Sequence, residues 1–203
     1  MHPKEAYHQK TGTGRLSHLS LKNSEIIIGI NFNENQRLWS LINNPEYFPV
    51  LLYPDENAWT AQKEGFAKEI GKKTLLVIVV DATWFCAKKM LKLSTKLAAL
   101  PKLSFRSGYR SQFTFKKQPA EECLSTIESC YYLIKELQKS GIANPDVSPE
   151  GLMEVFKKMI EYQLESEKER IAQGLPCRHP NKKPKPLELA KEAIDITKPQ
   201  EFF

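Results

Sequence analysis

Apolar positions are densest in residues 74–80, TLLVIVV, directly before Asp81. This largely β-branched run is too short for a helix and is typical of a strand buried on both faces of a parallel sheet. From Trp84 onward, apolar residues recur at helical spacing. The pattern places Asp81 and Thr83 at the carboxyl edge of the sheet, where open α/β sheets bind ligands. The alternative is that both residues only cap the helix.

The alternation of strand and helix patterns extends over most of the chain. Strands alternating with helices are typical of βαβ crossovers, so we predict an α/β fold with a mainly parallel sheet and flanking helices. Further strands are predicted at 25–30, 48–53, 103–105 and 112–115, and helices at 36–42, 55–70, from 126 and near 149.

Two segments carry signals of helix starts or anion binding. Ser125 and Glu128 fit a capping box, and a helix N-terminus also binds anions, so the two interpretations are compatible. Residues 1–23 are polar, and no element is predicted there. Their TGTGR stretch at 11–15 is a weak candidate for wrapping a phosphate or carboxylate, because its glycines complete neither a P-loop nor a dinucleotide motif.

The composition limits the class of protein. The chain has 203 residues, of which 41% are hydrophobic, enough for one core. We divide it into a catalytic domain, residues 1–165, and a charged helix end with a basic, proline-rich tail, residues 166–203. It shows neither an apolar membrane span nor a signal-peptide pattern, so we expect a cytoplasmic protein. The four cysteines form no Cys-x-x-Cys pair, and no metal site is expected.

Positive charge is concentrated in one window. Residues 85–120 contain no Asp or Glu, in a chain of net charge +6. A basic field with interleaved aromatic residues favours a nucleic acid, whose phosphates are anionic and whose bases can stack. The alternative is a solvated helix face with aromatic residues in the core. The basic residues are Lys88, Lys89, Lys92, Lys96, Lys102, Arg106, Arg110, Lys116 and Lys117, and the aromatic residues are Phe105, Tyr109, Phe113 and Phe115.

Several short motifs resemble one protein family in content and in order. DATW at 81–84 matches a D-x-T-W signature, and KQP at 117–119 with LSTIE at 124–128 resembles an R-x-x-P…LSTxE block in which Lys116 takes the place of the Arg. Upstream, HPKE at 2–5, TGRL at 13–16, LKNS at 21–24 and LYP at 52–54 resemble HPxE, NT(A/G)RL, L-x-N-S and LYP stretches. Over about residues 2–140 the chain resembles the DTW-domain family, the transfer-RNA uridine aminocarboxypropyltransferases.

This resemblance implies a fold, a cofactor and a reaction. The fold is related to the SPOUT class, with a knotted C-terminal part that holds S-adenosylmethionine. The 3-amino-3-carboxypropyl group of that cofactor, rather than its methyl group, goes to N3 of a uridine and leaves methylthioadenosine. The implied partner is transfer RNA, and no metal is implied.

The motifs also select the candidate site residues. We expect Asp81 to be catalytic, as base or as orienter of the nucleotide. Ser125 and Thr126 are expected to hold the methionyl carboxylate, with Arg15 or Lys116 adding charge, while Trp84 is expected mainly to pack beneath the site. The candidate cofactor-binding residues are Arg15, Thr83, Trp84, Leu124, Ser125 and Thr126. The candidate RNA-binding residues are Lys88, Lys89, Arg106, Arg110, Lys116 and Lys117.

Two alternative functions stay open from the sequence. Related folds transfer the methyl group, so the chain fits an RNA methyltransferase as well. A non-catalytic RNA-binding module would use the basic window alone. Measurable affinity for S-adenosylmethionine would argue against this last alternative.

Overall fold

A three-stranded parallel sheet organises the protein, which is described by a computed structural model covering residues 1–105, 108–113 and 123–175. The strands are β1 Tyr47–Leu52, β2 Thr74–Val79 and β3 Lys102–Leu103, in the order β2-β1-β3. All pairs are parallel, and Tyr47 of β1 lies opposite Thr74 of β2. The predicted α/β class with a parallel sheet is therefore confirmed for this part of the chain, while the knot stays a prediction.

Helices cover both faces of the sheet. One apolar cluster packs on Leu51 and another on Val50, and both residues have no exposed surface, because β1 is the central strand. Burial on both faces explains why β1 has a continuous apolar sequence. The helices are α1 Pro3–His8, α2 Thr13–Ser20, α3 Gln36–Ile42, α4 Phe66–Ile70, α5 Trp84–Leu93, α6 Thr95–Ala98, α7 Thr126–Lys139 and α8 Glu150–Ala172.

The strand prediction for 74–80 is right in position and wrong in burial. β2 is the edge strand of the sheet, and residues 75–80 are half-buried rather than fully buried. The predicted strand at 25–30 does not form; these residues belong to no strand or helix, and Ile28 is 42% exposed. An apolar run predicts a strand only where a neighbouring strand pairs with its main chain.

The predicted helix at 55–70 is wrong except for its last turn. The Asp55 carboxylate accepts a hydrogen bond from Asn57 N–H at 2.9 Å, which makes a turn instead of a long helix. Gly65, with φ 88°, precedes the short helix α4, and Gly71, with φ 61°, ends it. The predicted strand at 112–115 is wrong for residues 112–113, which form no strand, and residues 114–115 lie outside the described part.

The polar N-terminal segment contains two helices that the sequence pattern did not predict. The buried positions of α2 are Thr13, Gly14 and Ser17, which are small rather than apolar. Small residues let this helix pack closely on α7 and α8, but they leave no hydrophobic periodicity in the sequence. The TGTGR stretch thus forms the start of α2 rather than a free anion-binding loop.

The remaining helix predictions are confirmed with one change. Helix α7 begins at Thr126, and its capping box is present. Helix α8 buries Phe156 and Ile160 among other apolar residues. The helix after Asp81 ends at Leu93, because the buried Ser94 hydroxyl binds the main chain of Ile30 and Phe32. Within the described residues, no helix combines the length and apolar character that a membrane crossing needs.

Candidate active site

The Asp81 carboxylate is the meeting point of two distant sequence motifs. Its Oδ1 accepts a hydrogen bond of 2.6 Å from the Thr126 hydroxyl, across a separation of 45 residues. Asp81 follows β2, and Thr126 is the first residue of α7. Parallel strands end at the same edge of a sheet, so this position is the edge where α/β proteins bind ligands. Oδ2 takes part in no hydrogen bond with the described residues and is the oxygen left for a ligand.

Helix α2 approaches this carboxylate closely. A Cβ atom on Gly14 would lie 2.3 to 2.5 Å from the Asp81 carboxyl atoms, so only glycine fits there. Gly14 is in the first turn of α2, and Thr126 is in the first turn of α7. Helix N-termini carry partial positive charge, so a carboxylate between two of them is electrostatically favourable.

The chain's amino end also lies beside Asp81. His2 N–H donates a 2.9 Å hydrogen bond to the Asp81 main-chain oxygen. Burial lowers the pKa of the Met1 ammonium, and the nearby Asp81 carboxylate opposes this shift. The HPKE motif therefore contributes to the site through its main chain, while the His2 ring caps α1 by accepting from Lys4 N–H.

Glu128 is a buried anchor for the start of α7. Its side chain has no exposed surface, and its Oε2 accepts from Ser125 N–H at 2.9 Å and from the Ser125 hydroxyl at 2.5 Å. The Ser111 hydroxyl at 2.7 Å and Gln112 N–H at 2.6 Å also donate to this carboxylate. Burial raises the pKa of Glu128, and these hydrogen bonds partly offset the shift. The carboxylate thus fixes residues 111–112 to the helix start.

Three further candidate cofactor residues lie at the start of α7 and in α2. Leu124 and Ser125 directly precede Thr126, but both donors of Ser125 bind Glu128. The Arg15 guanidinium donates to the Ala6 main-chain oxygen at 2.6 Å, so its described contact joins α1 to α2 rather than reaching Ser125. The start of α7 therefore offers a ligand mainly the main-chain N–H groups of its first turn.

Thr83 and Trp84, the last two residues of the D-x-T-W motif, lie at the start of α5. The Thr83 hydroxyl caps this helix by accepting from Cys86 N–H at 3.3 Å, which confirms the capping interpretation for Thr83 but not for Asp81. Trp84 is half-buried, with its ring centroid 6.2 Å from that of Tyr53, in agreement with a packing role. Thr83 itself is exposed beside the site.

A basic and aromatic stripe runs along the exposed face of α5. Lys88, Lys89 and Lys92 are exposed, and Phe85, at helical spacing from the first two, is 81% exposed. This stripe begins directly after the Asp81 turn. It supports the basic part of the predicted nucleic-acid surface and adds an aromatic residue that the sequence analysis did not select.

Other parts of the basic window have different roles. The prediction that its aromatic residues stack on bases is wrong for Phe113, which is buried, and for Tyr109, which stacks on Tyr132 with ring centroids 4.2 Å apart. Phe105 packs on the core cluster around Val50. Arg110 is exposed. Two lysines form ion pairs, Lys96 with Glu34 and Lys102 with Asp55, whereas Arg106, Phe115, Lys116 and Lys117 lie outside the described residues.

Sequence reasoning found the two motifs but missed three residues of the site. Gly14 was named only as part of a weak loop signal, Glu128 only as a helix cap, and Phe85 not at all. The capping-box spacing was the available signal for Glu128, and the i, i+4 spacing to Lys89 was the signal for Phe85. Among the described residues no group of three or more His, Cys, Asp or Glu side chains could hold a metal ion.

Comparisons with known proteins give a family match and a distant curated relative. The family model described as DTW domain matches residues 1–164. The chain is 24% identical over 116 residues to tRNA-uridine aminocarboxypropyltransferase 2 of Macaca fascicularis, a match that covers 57% of this chain and 37% of that relative. The chain therefore spans little more than a third of the curated relative's length. No solved structure matches significantly. Because the family model covers most of the chain, including Asp81 and Thr126, this protein belongs to the DTW-domain family.

Proposed function

We propose that this protein transfers the 3-amino-3-carboxypropyl group of S-adenosylmethionine to N3 of a uridine in transfer RNA. The family assignment and the name of the similar transferase support this class of reaction. The observation that carries the proposal is the Asp81–Thr126 hydrogen bond, which joins the D-x-T-W turn to the LSTIE helix start.

Asp81 acts as the base in this proposal. Thr126 holds Oδ1, and Gly14 limits movement of the carboxyl group, so Oδ2 has a fixed direction. Uridine N3–H is a weak acid, and a positioned carboxylate assists its removal as the N3–carbon bond forms. Holding the base and the nucleotide in one geometry lowers the entropic part of the barrier.

The residues around Asp81 fit the donor molecule. S-adenosylmethionine supplies an electrophilic γ-carbon next to its sulfonium sulfur, and that carbon–sulfur bond breaks to release methylthioadenosine. The first-turn amides of α7 suit the carboxylate of this molecule. Because the Ser125 hydroxyl binds Glu128, Ser125 acts by shaping the helix start rather than by binding the carboxylate itself.

The exposed stripe on α5 is the proposed RNA surface. Lys88, Lys89 and Lys92 would neutralise phosphates, and Phe85 offers a ring for base stacking. The stripe begins next to the Asp81 turn, so an RNA strand bound along it would bring a nucleotide to the carboxylate.

The test is a product analysis of the purified protein with S-adenosylmethionine and unmodified transfer RNA. We expect methylthioadenosine in the small-molecule fraction and an aminocarboxypropyl-uridine among the nucleosides. S-adenosylhomocysteine with a methylated base would instead identify a methyltransferase. Absence of both products and of S-adenosylmethionine binding would favour an RNA-binding module.

Asp81→Asn separates the role of the base from that of binding. The amide keeps an oxygen for Thr126 but removes the negative charge, so we expect transfer to fall by roughly a hundredfold or more while S-adenosylmethionine affinity changes only a few-fold. Asp55→Asn is the matched control, because Asp55 lies beyond β1 as Asp81 lies beyond β2. Turnover of Asp81→Asn at the wild-type rate would remove Asp81 from the mechanism.

A further inference from the structure

Phe85 on α5 is exposed although it is a large apolar residue. At 81% it is the most exposed residue of this kind in the part of the chain that the structure describes. Within that part, its ring stacks on no other aromatic ring and belongs to no apolar core cluster. A single exposed apolar residue is ordinary in a protein, so the surroundings of this ring decide what it means.

The position of Phe85 connects it to the candidate site. Phe85 is the second residue of α5, and Asp81 lies four residues before it. Four residues of even a fully extended chain span at most about 14 Å, so the two residues stay close. The buried face of α5 consists of Ala87, Met90 and Leu91, so Phe85 projects away from the core. A group bound on this ring therefore neighbours a group bound at Asp81.

Three lysines continue the line that Phe85 begins. Lys88 and Lys89 lie about one helical turn after Phe85, and Lys92 lies about two turns after it, at about 5.4 Å per turn. All three lysines are exposed, and none forms an ion pair with a described residue. An uncovered ring followed by a line of cations matches a polyanion that carries flat groups along its length.

Single-stranded RNA fits this surface better than other anionic partners do. In a duplex the bases stack on one another, and side chains reach mainly their edges and the backbone. A helix that binds a membrane inserts its apolar face, whereas the apolar face of α5 is buried in the core. A single strand offers a base to the ring and phosphates to the lysines.

A phenyl ring distinguishes bases by size rather than by hydrogen bonding. The Phe85 side chain has no donor or acceptor for a base edge, so its contribution depends on the overlap between its ring and the base. The two fused rings of a purine overlap a phenyl ring more than the single ring of a pyrimidine does. Stacking strength therefore differs between the two classes of base.

We infer that Phe85 stacks on an unpaired base directly beside the target uridine and makes the protein prefer a purine at that position. The lysines hold the phosphates of the same strand, and stacking of the neighbouring base keeps the uridine at Asp81. Phe85 is thus a positioning residue that sets specificity without touching the reacting atoms. The inference rests on the proposed function for the identity of the target.

The first test measures stacking without turnover. The probes are hairpin RNAs with one uridine in the loop and the fluorescent purine 2-aminopurine on its 5′ or its 3′ side, because stacking quenches the fluorescence of this base. We expect quenching by the wild-type protein and by Phe85→Tyr, whereas Phe85→Leu should lose the quenching and bind roughly tenfold more weakly. Tyr162→Leu is the matched control and should behave as the wild type does, because Tyr162 is an aromatic residue of α8 that is 68% exposed.

Several outcomes of this test would overturn the inference. Quenching that persists in Phe85→Leu, or wild-type protein that quenches neither probe, would do so. Equal affinity for a duplex in which the same uridine and 2-aminopurine are paired would also contradict it. Binding to vesicles of anionic phospholipid that Phe85→Leu abolishes, without quenching of the RNA probes, would assign the ring to a membrane surface. Because the assay contains no S-adenosylmethionine, its result does not depend on which group the protein transfers.

A second measurement tests the preference during turnover. Unmodified transfer RNA is prepared with a purine or a pyrimidine on each side of the uridine that the protein modifies. We expect a severalfold higher kcat/KM with the purine for the wild-type protein and no such difference for Phe85→Leu. An equal fall of kcat/KM on all these RNAs would contradict a specificity role. Absence of transfer by the wild-type protein would refute the proposed function, whereas the quenching measurement would still decide whether Phe85 stacks on RNA.

Discussion

Two helix starts lie at the candidate site, and they are built differently. The start of α7 is half-buried, and the fully buried Glu128 carboxylate receives four hydrogen bonds there. The start of α5 is exposed, has one side-chain cap from Thr83, and continues into the lysine stripe. The start of α5 follows Asp81 in the sequence, and Thr126 at the start of α7 donates a hydrogen bond to the Asp81 carboxylate.

The difference follows from the cost of burying polar groups. A buried carboxylate is tolerated only when donors surround it, and the same donors then become costly to leave unpaired. An exposed helix start can exchange its bonds with water, so its side chains are available for another molecule. In the proposed function α7 would supply rigidity and α5 would bind the RNA, and the following substitutions test that division.

The largest expected effect on stability is that of Glu128→Ala. It would leave buried donors of Ser111, Gln112 and Ser125 without an acceptor, so we expect the free energy of unfolding to fall by about 3 kcal/mol. Denaturant unfolding measures this. Glu150→Ala is the control, because Glu150 also contacts α7 but is exposed, and its loss should cost under about 1 kcal/mol. Equal losses in the two variants would contradict the anchoring role.

Thiol reactivity compares the two helices without changing their caps. Burial raises the pKa of Cys130 on α7 to about 11, so little thiolate exists at pH 8, and its alkylation rate should rise about tenfold per pH unit. We expect Cys86 on α5 to react much faster at pH 8. The measurement uses variants that keep one cysteine each, with Ser at the other positions. Alkylation in urea should give equal rates for the two cysteines. Equal alkylation rates in the folded protein as well would show that the two environments do not differ.

A smaller effect is expected at the start of α5. Thr83→Ala removes the side-chain acceptor of the Cys86 N–H, and we expect a loss of about 1 kcal/mol in the free energy of unfolding. Thr83→Ser keeps the hydroxyl and should retain most of that stability. A loss as large as that of Glu128→Ala would contradict the contrast between the two helix starts.

The smallest effect on stability is expected for the double variant Lys88→Ala and Lys89→Ala. Both side chains are exposed, so the unfolding midpoint should hardly change. RNA affinity should fall, and the slope of the logarithm of the binding constant against the logarithm of the salt concentration should decrease by about two, because two phosphate contacts are lost. Lys72→Ala with Lys73→Ala is the matched control, since this exposed pair lies before β2, at its other end. RNA affinities lowered equally in both double variants would indicate a diffuse charge effect rather than a stripe.

The sequence predicted those elements whose signals are local. The β-branched run of β2, the short helix α3 and the capping box of α7 were placed correctly, because each depends on neighbouring residues. The segment at 25–30 has a similar apolar pattern but forms no strand. Strand formation needs a partner for its main chain, and a single segment does not contain that information.

The N-terminal helices are elements that the hydrophobic pattern failed to predict. The buried face of α2 consists of Thr13, Gly14 and Ser17, so hydrophobic periodicity does not reveal it. The close approach of Gly14 to Asp81 explains why a small residue lies there, but the explanation needs both elements in place. The same holds for the aromatic residues of the basic window, of which Phe113 is buried while Phe85 is exposed.

By itself the sequence determined the α/β class, the acidic turn after β2, the capped start of α7 and the family. Only the tertiary structure decided that Asp81 meets Thr126, that Glu128 is a buried anchor, and that β2 is an edge strand of the sheet that the described residues form. Local pattern depends on residues a few positions apart, whereas these contacts depend on how distant elements pack. The motifs therefore identify residues at the sheet edge, whereas the tertiary structure determines the distances between them.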